Sequence, residues 1–273
     1  MGVQAVCIDI TGSRRAMDFA YLENDRLDCR TAPNLTNFLD WVGEQMPDVI
    51  AVDAPSKRNV GLIRKHRDEF GIPGDSYENF RIAEALLRLK GIGLYNTPQT
   101  DPDKWIERGW ELYSSLNDKG YILLDTSGPV KLTGKVVLEV HPHASFVVGL
   151  GWIPHSKQTL AGQLERLAYL RWECRDLGIS TDKTMLVEDQ LGQLKSTSTT
   201  WETIILDGVT LPEVPHDQLD AIAGLTTAIR ALRGDAVAIG HQGDGVIVIP
   251  RTLSKTPYAS VPPSSSSCGG CSP

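Results

Sequence analysis

Five acidic residues stand where the sequence could bring carboxylates together around a divalent metal ion. Asp9 and Asp53 each end an apolar run rich in β-branched residues, which is typical of a buried strand. Neighbouring strands of an open α/β sheet end at one edge, so we expect these two carboxylates side by side. Asp217 and Asp220, at i and i+3, share one side of the first turn of a predicted helix. Glu139 stands near the end of a further apolar run.

Carboxylates supplied by several rigid elements suit the hydrolysis of phosphodiester bonds. Hard cations such as Mg²⁺ or Mn²⁺ prefer oxygen ligands and keep waters and phosphate oxygens in their shell. Two such ions about 4 Å apart can activate the attacking water and stabilise the leaving oxygen of an in-line displacement. The sequence therefore favours a metal site of Asp9, Asp53, Asp217 and Asp220, with Glu139 as a further ligand or water-orienting group.

Each acidic residue also has a simpler structural interpretation. An Asp at a strand end often forms a turn by accepting hydrogen bonds from nearby backbone amides. Asp217 could be a helix N-cap, and Asp220 could interact with the helix dipole. Glu139 could be a surface charge at the end of a strand. These interpretations explain the residues separately, but they do not explain the order of the elements that carry them.

The elements that must position these side chains indicate a mixed α/β fold. The first half begins with a strand at 3–10, strands at 16–22 and 27–31 around a turn at 23–25, a helix from about Asn34, and a strand at 49–52. We expect residues 56–134 to be a helical insertion, with helices at 78–90 and from Thr100–Pro102 onward. The later predicted elements are a strand at 135–140, helices at 158–177 and 217–232, and a hairpin of 236–239 with 246–249.

This order of elements predicts one domain over residues 1–252, built as an antiparallel three-strand meander plus parallel strands, flanked by helices and followed by a hairpin. Residues 253–273 are rich in Ser and Pro, so we expect a disordered tail. The tail ends in Cys268 and Cys271, a lone Cys-x-x-Cys pair without the helix of a redox motif or two further zinc ligands.

Several spaced motifs resemble the RNase H-like superfamily, especially its Holliday-junction resolvase branch. That branch carries an Asp on the first strand, an acid on the fourth strand and Asp-x-x-Asp-Ala on the last helix, which match Asp9, Asp53 and Asp217–Ala221. Over about residues 3–250 the chain more closely resembles an uncharacterised bacterial and archaeal family described as predicted nucleases of RNase H fold. The further matching motifs are Val52–Pro55, Arg81–Glu84, Leu138–Pro142, Ser156–Lys157 with Gly162 and Arg166, and His216–Ala221. The sequence departs from the family at Ile10–Ser13, where many relatives carry a glycine-rich turn, and in its cysteine tail.

The resemblance implies a metal-dependent nuclease with Mg²⁺ or Mn²⁺ as cofactor and DNA or RNA as partner. The resemblance leaves open whether the protein forms a homodimer, as Holliday-junction resolvases do. The segment 54–95 leaves from Asp53 with eight basic and five acidic residues, and it could hold a nucleic-acid backbone over the metals. The candidate substrate contacts are Lys57, Arg58, Arg81, Glu84 and Lys157. The alternative for any of them is a solvated helix face, and Arg81 with Glu84 could be a plain i,i+3 ion pair.

Two histidines follow Glu139 closely. His141 or His143 could act as a proton shuttle near the metal. The structural alternative is the stronger one, because His141–Pro142 stands just past a predicted strand, where a turn is due.

Composition limits the kinds of partner that the chain can have. The formal net charge is -7, so any nucleic acid must be met by a local basic patch after metal has neutralised the acidic site. No apolar run approaches the roughly 18 residues needed to span a bilayer, and the first residues lack the basic start of a secretory signal. Five cysteines, an odd number, fit reduced thiols in a cytoplasmic protein with no membrane partner.

Two other functions remain open from the sequence. Sugar kinases and actin-like ATPases share the core fold and use a first-strand Asp, so an ATP-dependent phosphotransferase is one alternative. Those proteins normally need two such domains and phosphate-binding glycine turns, for which Ile10–Ser13 is a poor match. The other alternative is a non-catalytic module that keeps its acids for metal or partner binding, to which the net charge of -7 gives some support.

Overall fold

The computed structural model describes residues 3–10, 16–73, 75–181 and 216–251, and its largest feature is a mixed sheet. The strands of this part of the chain are β1 (Val3–Asp9), β2 (Met17–Glu23), β3 (Arg26–Ala32), β4 (Val49–Asp53), β5 (Ile122–Leu123), β6 (Gly128–Pro129), β7 (Val136–Glu139), β8 (Ser180–Thr181), β9 (Ala236–His241) and β10 (Gly245–Pro250). Seven of them form the main sheet in the order β5–β7–β4–β1–β2–β3–β8, and β10–β9–β6 form a second sheet. The expected RNase H-like fold class is confirmed.

Helices cover both faces of the main sheet. They are α1 (Leu35–Gln45), α2 (Ile63–His66), α3 (Ile82–Leu89), α4 (Lys104–Asp118), α5 (Pro142–Leu150), α6 (Leu160–Asp176) and α7 (His216–Leu232), with a 3-10 helix at Asp75–Tyr77. On one face, Ile8 and Val52 pack with Phe38 of α1 and Leu112 of α4. The other face belongs to the core that α5, α6 and α7 complete. The sheet is thus the middle layer, and α2, α3 and α4 all lie in the segment between β4 and β7.

The first three strands form the expected antiparallel meander. β1 pairs with β2 and β2 pairs with β3, each in antiparallel register. The turn between β2 and β3 consists of Asn24 and Asp25, which both have positive φ, at 50° and 62°. A two-residue hairpin turn of this handedness matches the twist of the strands that it joins, and Asn and Asp tolerate it better than most residues.

The parallel part of the sheet brings two predicted site residues to the same edge. β4 lies parallel to β1 with Asp9 opposite Asp53, and β7 lies parallel to β4 with Glu139 opposite Val52. Successive side chains of a strand point to opposite faces, and register partners point to the same face. Asp9 and Asp53 therefore lie on the face of Cys7 and Ala51, which α7 covers, and Glu139 points to the opposite face.

A glycine allows α7 to pack directly against β1. A Cβ atom built on Gly224 would lie 2.2 Å from Sγ of Cys7 and 3.2 Å from Cγ2 of Val140. Only a residue without a side chain fits at that distance, since packed interiors leave no spare volume. The start of α7, with Asp217 and Asp220, is thereby held over the end of β1.

The second sheet carries the predicted C-terminal hairpin. β9 and β10 pair over Ala236–His241 and Gly245–Pro250, longer than the sequence indicated, and β6 adds a short third strand. A parallel bridge between Val140 and Val248 joins this hairpin to the end of β7. The hairpin therefore abuts the same edge of the main sheet at which the aspartates lie.

Some predicted boundaries were wrong. We expected a turn at His141–Pro142, but Pro142 begins α5, where its fixed φ and missing N–H suit the first helical position. The helix expected from Thr100–Pro102 begins at Lys104, because Asp101 adopts a left-handed conformation with φ of 50°. The helix expected at 78–90 is shorter, with Arg81 as its N-cap.

Two segments singled out in the sequence lie outside the described residues, namely positions 11–13 of Ile10–Ser13 and the tail at 253–273 with Cys268 and Cys271. Within the described residues, no helix combines the length and the apolar character that crossing a membrane requires. The three cysteines of that part of the chain, Cys7, Cys29 and Cys174, are free thiols.

Candidate metal centre

The end of β1 and the first turn of α7 meet at a cluster of three aspartates. Carboxylate oxygens of Asp9, Asp217 and Asp220 lie within 4.8 Å of one another. The spacing of i and i+3 puts the two helical residues on one side of α7, and Asp9 ends the strand beneath it. Asp220 is only 8% exposed, and Asp9 and Asp217 are half-buried. Three of the four predicted metal ligands therefore come together with oxygens alone, the donor set that hard divalent cations prefer.

Asp53, the fourth predicted ligand, stands beside this cluster with its carboxylate turned towards a histidine. It is the register partner of Asp9, so both side chains leave the same face of the sheet. Its Oδ1 lies 3.9 Å from Nδ1 of His141, an ion-pair distance rather than a hydrogen-bond distance. Asp53 thus connects the aspartate cluster to His141.

Burial and crowded negative charge dominate the electrostatics of the cluster. Burial, followed by the charges of Asp53, Asp220 and Asp217, raises the pKa of Asp9 to about 9. Burial also raises the pKa of Asp220, against the opposing effect of Lys157, whose Nζ donates to Oδ2 at 2.7 Å. Carboxylates this close together cannot all stay ionised unless a positive charge joins them.

The two histidines of the predicted proton shuttle have opposite electrostatic environments. Burial lowers the pKa of His141, but Asp53 and the carbonyl of Gly93 raise it by more, and the net shift is upward. Nε2 of His141 lies 3.3 Å from that carbonyl oxygen. Burial and then the charge of His141 lower the pKa of His143 to about 4. The charged form of His141 is therefore more favoured than in a free imidazole, whereas His143 stays neutral near pH 7.

Glu139, expected near the metal, instead faces Arg81. The carboxylate is 3% exposed and accepts hydrogen bonds from Nη1 of Arg81 at 2.9 Å, from its Nη2, and from the backbone amide of Ser56 at 2.7 Å. It points to the face of the sheet opposite to Asp9, and it does not belong to the aspartate cluster. Both carboxylate oxygens of Glu139 therefore accept hydrogen bonds, which join the residues after β4 to the start of α3.

Arg81 and Glu84, expected as substrate contacts, form the centre of the same buried network. Each is 1% exposed. Nε of Arg81 donates to Oε1 of Glu84 at 2.7 Å, and the Arg81 amide donates to Oε2 at 3.0 Å, which caps the start of α3. The amide of Thr97 donates to Oε2 at 3.0 Å, and Nη1 of Arg81 donates to the carbonyl of Asp244 at 3.2 Å. The i,i+3 ion pair of the alternative interpretation is present, inside a larger network.

The other basic residues of the predicted substrate surface are also engaged within the protein. Nζ of Lys57 donates to Oδ2 of Asp125 at 3.2 Å and to the carbonyl of Gln242 at 2.6 Å. The guanidinium of Arg58 lies 4.1 Å from the ring centre of Trp110. Of the five predicted substrate contacts, Lys157 is the one whose side chain bonds to an aspartate of the cluster, Asp220.

A cleft of about 550 Å³ opens over the aspartates. Its lining includes the acids Asp9, Asp53, Glu84, Glu139 and Asp220, the basic residues Arg81, His141, His143, His155, Lys157 and Arg166, and the apolar residues Ile10, Leu94, Tyr95, Trp105, Ile153 and Pro154. This volume lies within the range of about 300–1,000 Å³ that is usual for small-molecule sites.

Sequence reasoning missed the apolar part of this lining. Tyr95 and Ile153 lie in loops without helical or alternating periodicity, so no pattern distinguished them from other loop residues. Arg166 was noticed in a motif but was given no role. It is 4% exposed, and its Nη1 donates to the carbonyls of His155 and Gly162, each at 2.8 Å. Those contacts fix the loop that delivers Lys157.

Comparison with known proteins places the chain in a family without assigning an activity. No curated protein and no solved structure matched the sequence. The model of a family described as "Protein of unknown function (DUF429)" matches residues 8–243, and the chain belongs to this family.

Proposed function

We propose that the chain is a divalent-metal-dependent hydrolase that cuts phosphodiester bonds in nucleic acid. The observation that carries this proposal is the convergence of Asp9, Asp217 and Asp220, whose oxygens lie within 4.8 Å of one another beside a cleft that Asp9 and Asp220 line. Two separate elements supply these carboxylates, and the packing of α7 on β1 fixes their separation. A preformed oxygen cluster of this kind suits Mg²⁺ or Mn²⁺ better than it suits a softer metal.

The residues present fit such an ion in charge as well as in donor type. The pKa of Asp9 is raised to about 9 because burial and neighbouring carboxylates oppose its ionisation. Nζ of Lys157 donates to Oδ2 of Asp220, which offsets part of the negative charge of the cluster. Asp9, Asp217 and Asp220 would hold the ion, and Asp53 would add a fourth carboxylate beside them. A bound divalent cation supplies positive charge that favours ionisation of water and balances charge developing on a phosphate.

The chain's own side chains provide the remaining functions. Lys157 Nζ neutralises Asp220 and holds its carboxylate at one side of the cluster. For Nε2 of His141 to bond to the Gly93 carbonyl, Nε2 must carry a hydrogen, so Nδ1, which faces the Asp53 carboxylate, is the nitrogen that can gain or lose a proton. In this proposal His141 holds a proton for the leaving oxygen. His143, neutral near pH 7, can accept one.

A substrate panel with a matched variant tests the proposal. The purified chain is incubated with single-stranded and duplex DNA, RNA, hybrids and branched junctions, with Mg²⁺, Mn²⁺ or EDTA. We expect cleavage that needs metal and falls by about 100-fold or more in Asp9→Asn. Asp118→Asn removes a carboxylate from an exposed position at the end of α4 and should keep the wild-type rate. If wild type and Asp9→Asn behave alike on every substrate, the proposal is wrong.

A further inference from the structure

The cleft over the aspartates has two chemically different parts. Its floor carries the carboxylates of Asp9, Asp53 and Asp220 and the ammonium of Lys157, whereas Tyr95 and Ile153 form an apolar rim. Tyr95 is 85% exposed and Ile153 is 56% exposed, which is unusual for large apolar side chains beside a concave site. A Cβ atom built on Gly91 would lie 3.5 Å from Cδ1 of Ile153, so the two rim segments approach each other. A ligand that fills this cleft must offer both a charged group and an apolar or planar group.

The backbone around Tyr95 is fixed although its ring is exposed. Nη1 of Arg88 donates to the carbonyl of Leu94 at 2.9 Å on one side. On the other side, the amide and hydroxyl of Thr97 both donate to the buried carboxylate of Glu84. An exposed aromatic ring on an anchored backbone can bind a flat partner at little cost in conformational entropy.

The segment that carries Tyr95 also contacts the residues of the reaction site. Nε2 of His141 lies 3.3 Å from the carbonyl oxygen of Gly93, two positions before Tyr95. Nδ1 of the same imidazole lies 3.9 Å from Asp53. A group stacked on Tyr95 is therefore held at a set position relative to the acidic floor.

The loop that carries Ile153, on the opposite rim of the cleft, is also held by close contacts. A Cβ atom on Gly162 would lie 2.1 Å from the carbonyl oxygen of Ser156, so the loop after Ile153 packs tightly on the first turn of α6. Arg166 closes the arrangement by donating to the carbonyl of His155 at 2.8 Å. The cleft is thus a preformed slot between two anchored loops.

Two of the cations predicted to contact a nucleic-acid backbone, Lys57 and Arg58, are engaged within the protein. Lys57 bonds to Asp125 and Gln242, and Arg58 stacks on Trp110. Duplex binding depends on many free cations along the phosphates. Single-strand binding relies more on aromatic rings against which an unpaired base can stack.

We infer that the cleft binds one unpaired nucleotide of a single strand, with its base against Tyr95 and Ile153 and its phosphate towards the aspartates and Lys157. This inference rests on the proposed function for the identity of the charged group. In a duplex both faces of a base are already stacked, so the ring of Tyr95 selects for unpaired strands, ends or splayed bases.

Binding of oligonucleotides that contain 2-aminopurine tests this inference apart from catalysis. Affinity and fluorescence are measured in EDTA and again with Mg²⁺, for a single strand and for its duplex. We expect the single strand to bind with quenched fluorescence, and Tyr95→Ala to weaken its affinity by about 5- to 150-fold. Tyr95→Phe keeps the ring and should bind as wild type does. Ile122→Ala, at a site 68% exposed and outside the cleft, should have no effect.

The outcomes separate this inference from the proposed function. Tyr95-dependent binding of single strands without cleavage of any substrate keeps the inference and removes the hydrolase. Metal-dependent cleavage with equal affinity in wild type and Tyr95→Ala keeps the hydrolase and overturns the inference. Equal affinity for the single strand and the duplex, or no nucleotide binding under either condition, also overturns it.

Discussion

Asp9 and Asp53 are register partners at the ends of two adjacent parallel strands, and both leave the face of the sheet that α7 covers. The first turn of α7 adds the carboxylates of Asp217 and Asp220 at the same place, so Asp53 is not the only negative charge that acts on Asp9. Burial and these neighbouring charges together raise the pKa of Asp9 to about 9. The metal-free protein therefore holds a proton on Asp9 at neutral pH, and a metal ion has to displace it.

Metal affinity should rise with pH as a result of this competition. Below about pH 9 each metal ion bound to Asp9 releases one proton, so the apparent affinity for Mn²⁺ should increase about tenfold per pH unit. Calorimetric titration at pH 6.5, 7.5 and 8.5 measures this slope. Repeating the titration in buffers with different ionisation enthalpies counts the protons released. An affinity that is constant over this range would show that no carboxyl of the cluster is protonated in the metal-free protein.

The stability of the metal-free protein should show the opposite trend. Between about pH 4 and pH 9 the folded protein keeps the proton on Asp9, whereas the unfolded chain, with its pKa near 3.8, loses it. The folded state therefore binds more protons, and the free energy of unfolding falls as pH rises, by up to about 1.4 kcal/mol per unit for this group. Chemical denaturation in EDTA at several pH values measures the slope.

The matched comparison for this trend is Asp9→Asn, which removes the titrating group and leaves a side chain of the same shape. In EDTA at pH 8 it should be more stable than wild type, by about 1 kcal/mol or more, with a smaller slope against pH. Parallel pH profiles of the two proteins would contradict the assignment of the raised pKa to Asp9.

The position of the aspartates could be predicted because local rules determine it. An apolar run ending in Asp predicts a buried strand with an acid at its edge, which fixed the places of Asp9 and Asp53. The spacing of Asp217 and Asp220 needs only the geometry of one helical turn. The meander and the C-terminal hairpin followed from turn residues and alternation in the same way.

The surroundings of the cluster could not be predicted, because they depend on contacts between residues far apart in sequence. The side chain of Glu139 points to the face of the sheet opposite to the one that α7 covers, and its partner Arg81 is 58 positions away in the sequence. α5 is buried on most of its sides, so it lacks the polar face by which an amphipathic helix is recognised. The exposed ring of Tyr95 has significance only because the fold places it at the rim of the cleft.

Glu139→Gln distinguishes a metal ligand from a structural anchor. The substitution removes the charge that faces Arg81 in a buried network, although Glu84 still neutralises the guanidinium. We expect a loss of about 2–4 kcal/mol in the free energy of unfolding, with Mn²⁺ affinity unchanged in the folded protein. Denaturant unfolding and calorimetry measure the two quantities.

The control for this variant is Glu44→Gln, the same change at an exposed position of α1. It should leave the free energy of unfolding within about 0.5 kcal/mol of wild type. A Glu139→Gln protein that is as stable as wild type but has lost its Mn²⁺ affinity would return Glu139 to the metal site.

The packing of α7 on β1 can be tested with a single methyl group. In Gly224→Ala the new Cβ would lie 2.2 Å from Sγ of Cys7, so the helix has to move away from the strand. We expect a loss of about 1–3 kcal/mol in stability and weaker Mn²⁺ binding, because Asp217 and Asp220 move with the helix while Asp9 stays on the strand. Thermal unfolding and a Mn²⁺ titration measure both effects.

Two further variants show whether the close contact is the cause. Cys7→Ala removes Sγ and leaves the two Cβ atoms 3.3 Å apart, so the double variant with Gly224→Ala should recover part of the stability and of the metal affinity. Gly43→Ala makes the same change in α1, where the nearest atom is Nζ of Lys119 at 3.4 Å, and it should stabilise the protein by about 0.5–1 kcal/mol. If Gly224→Ala lost stability but bound Mn²⁺ as wild type does, the aspartates of α7 would not depend on this contact for their place at the metal.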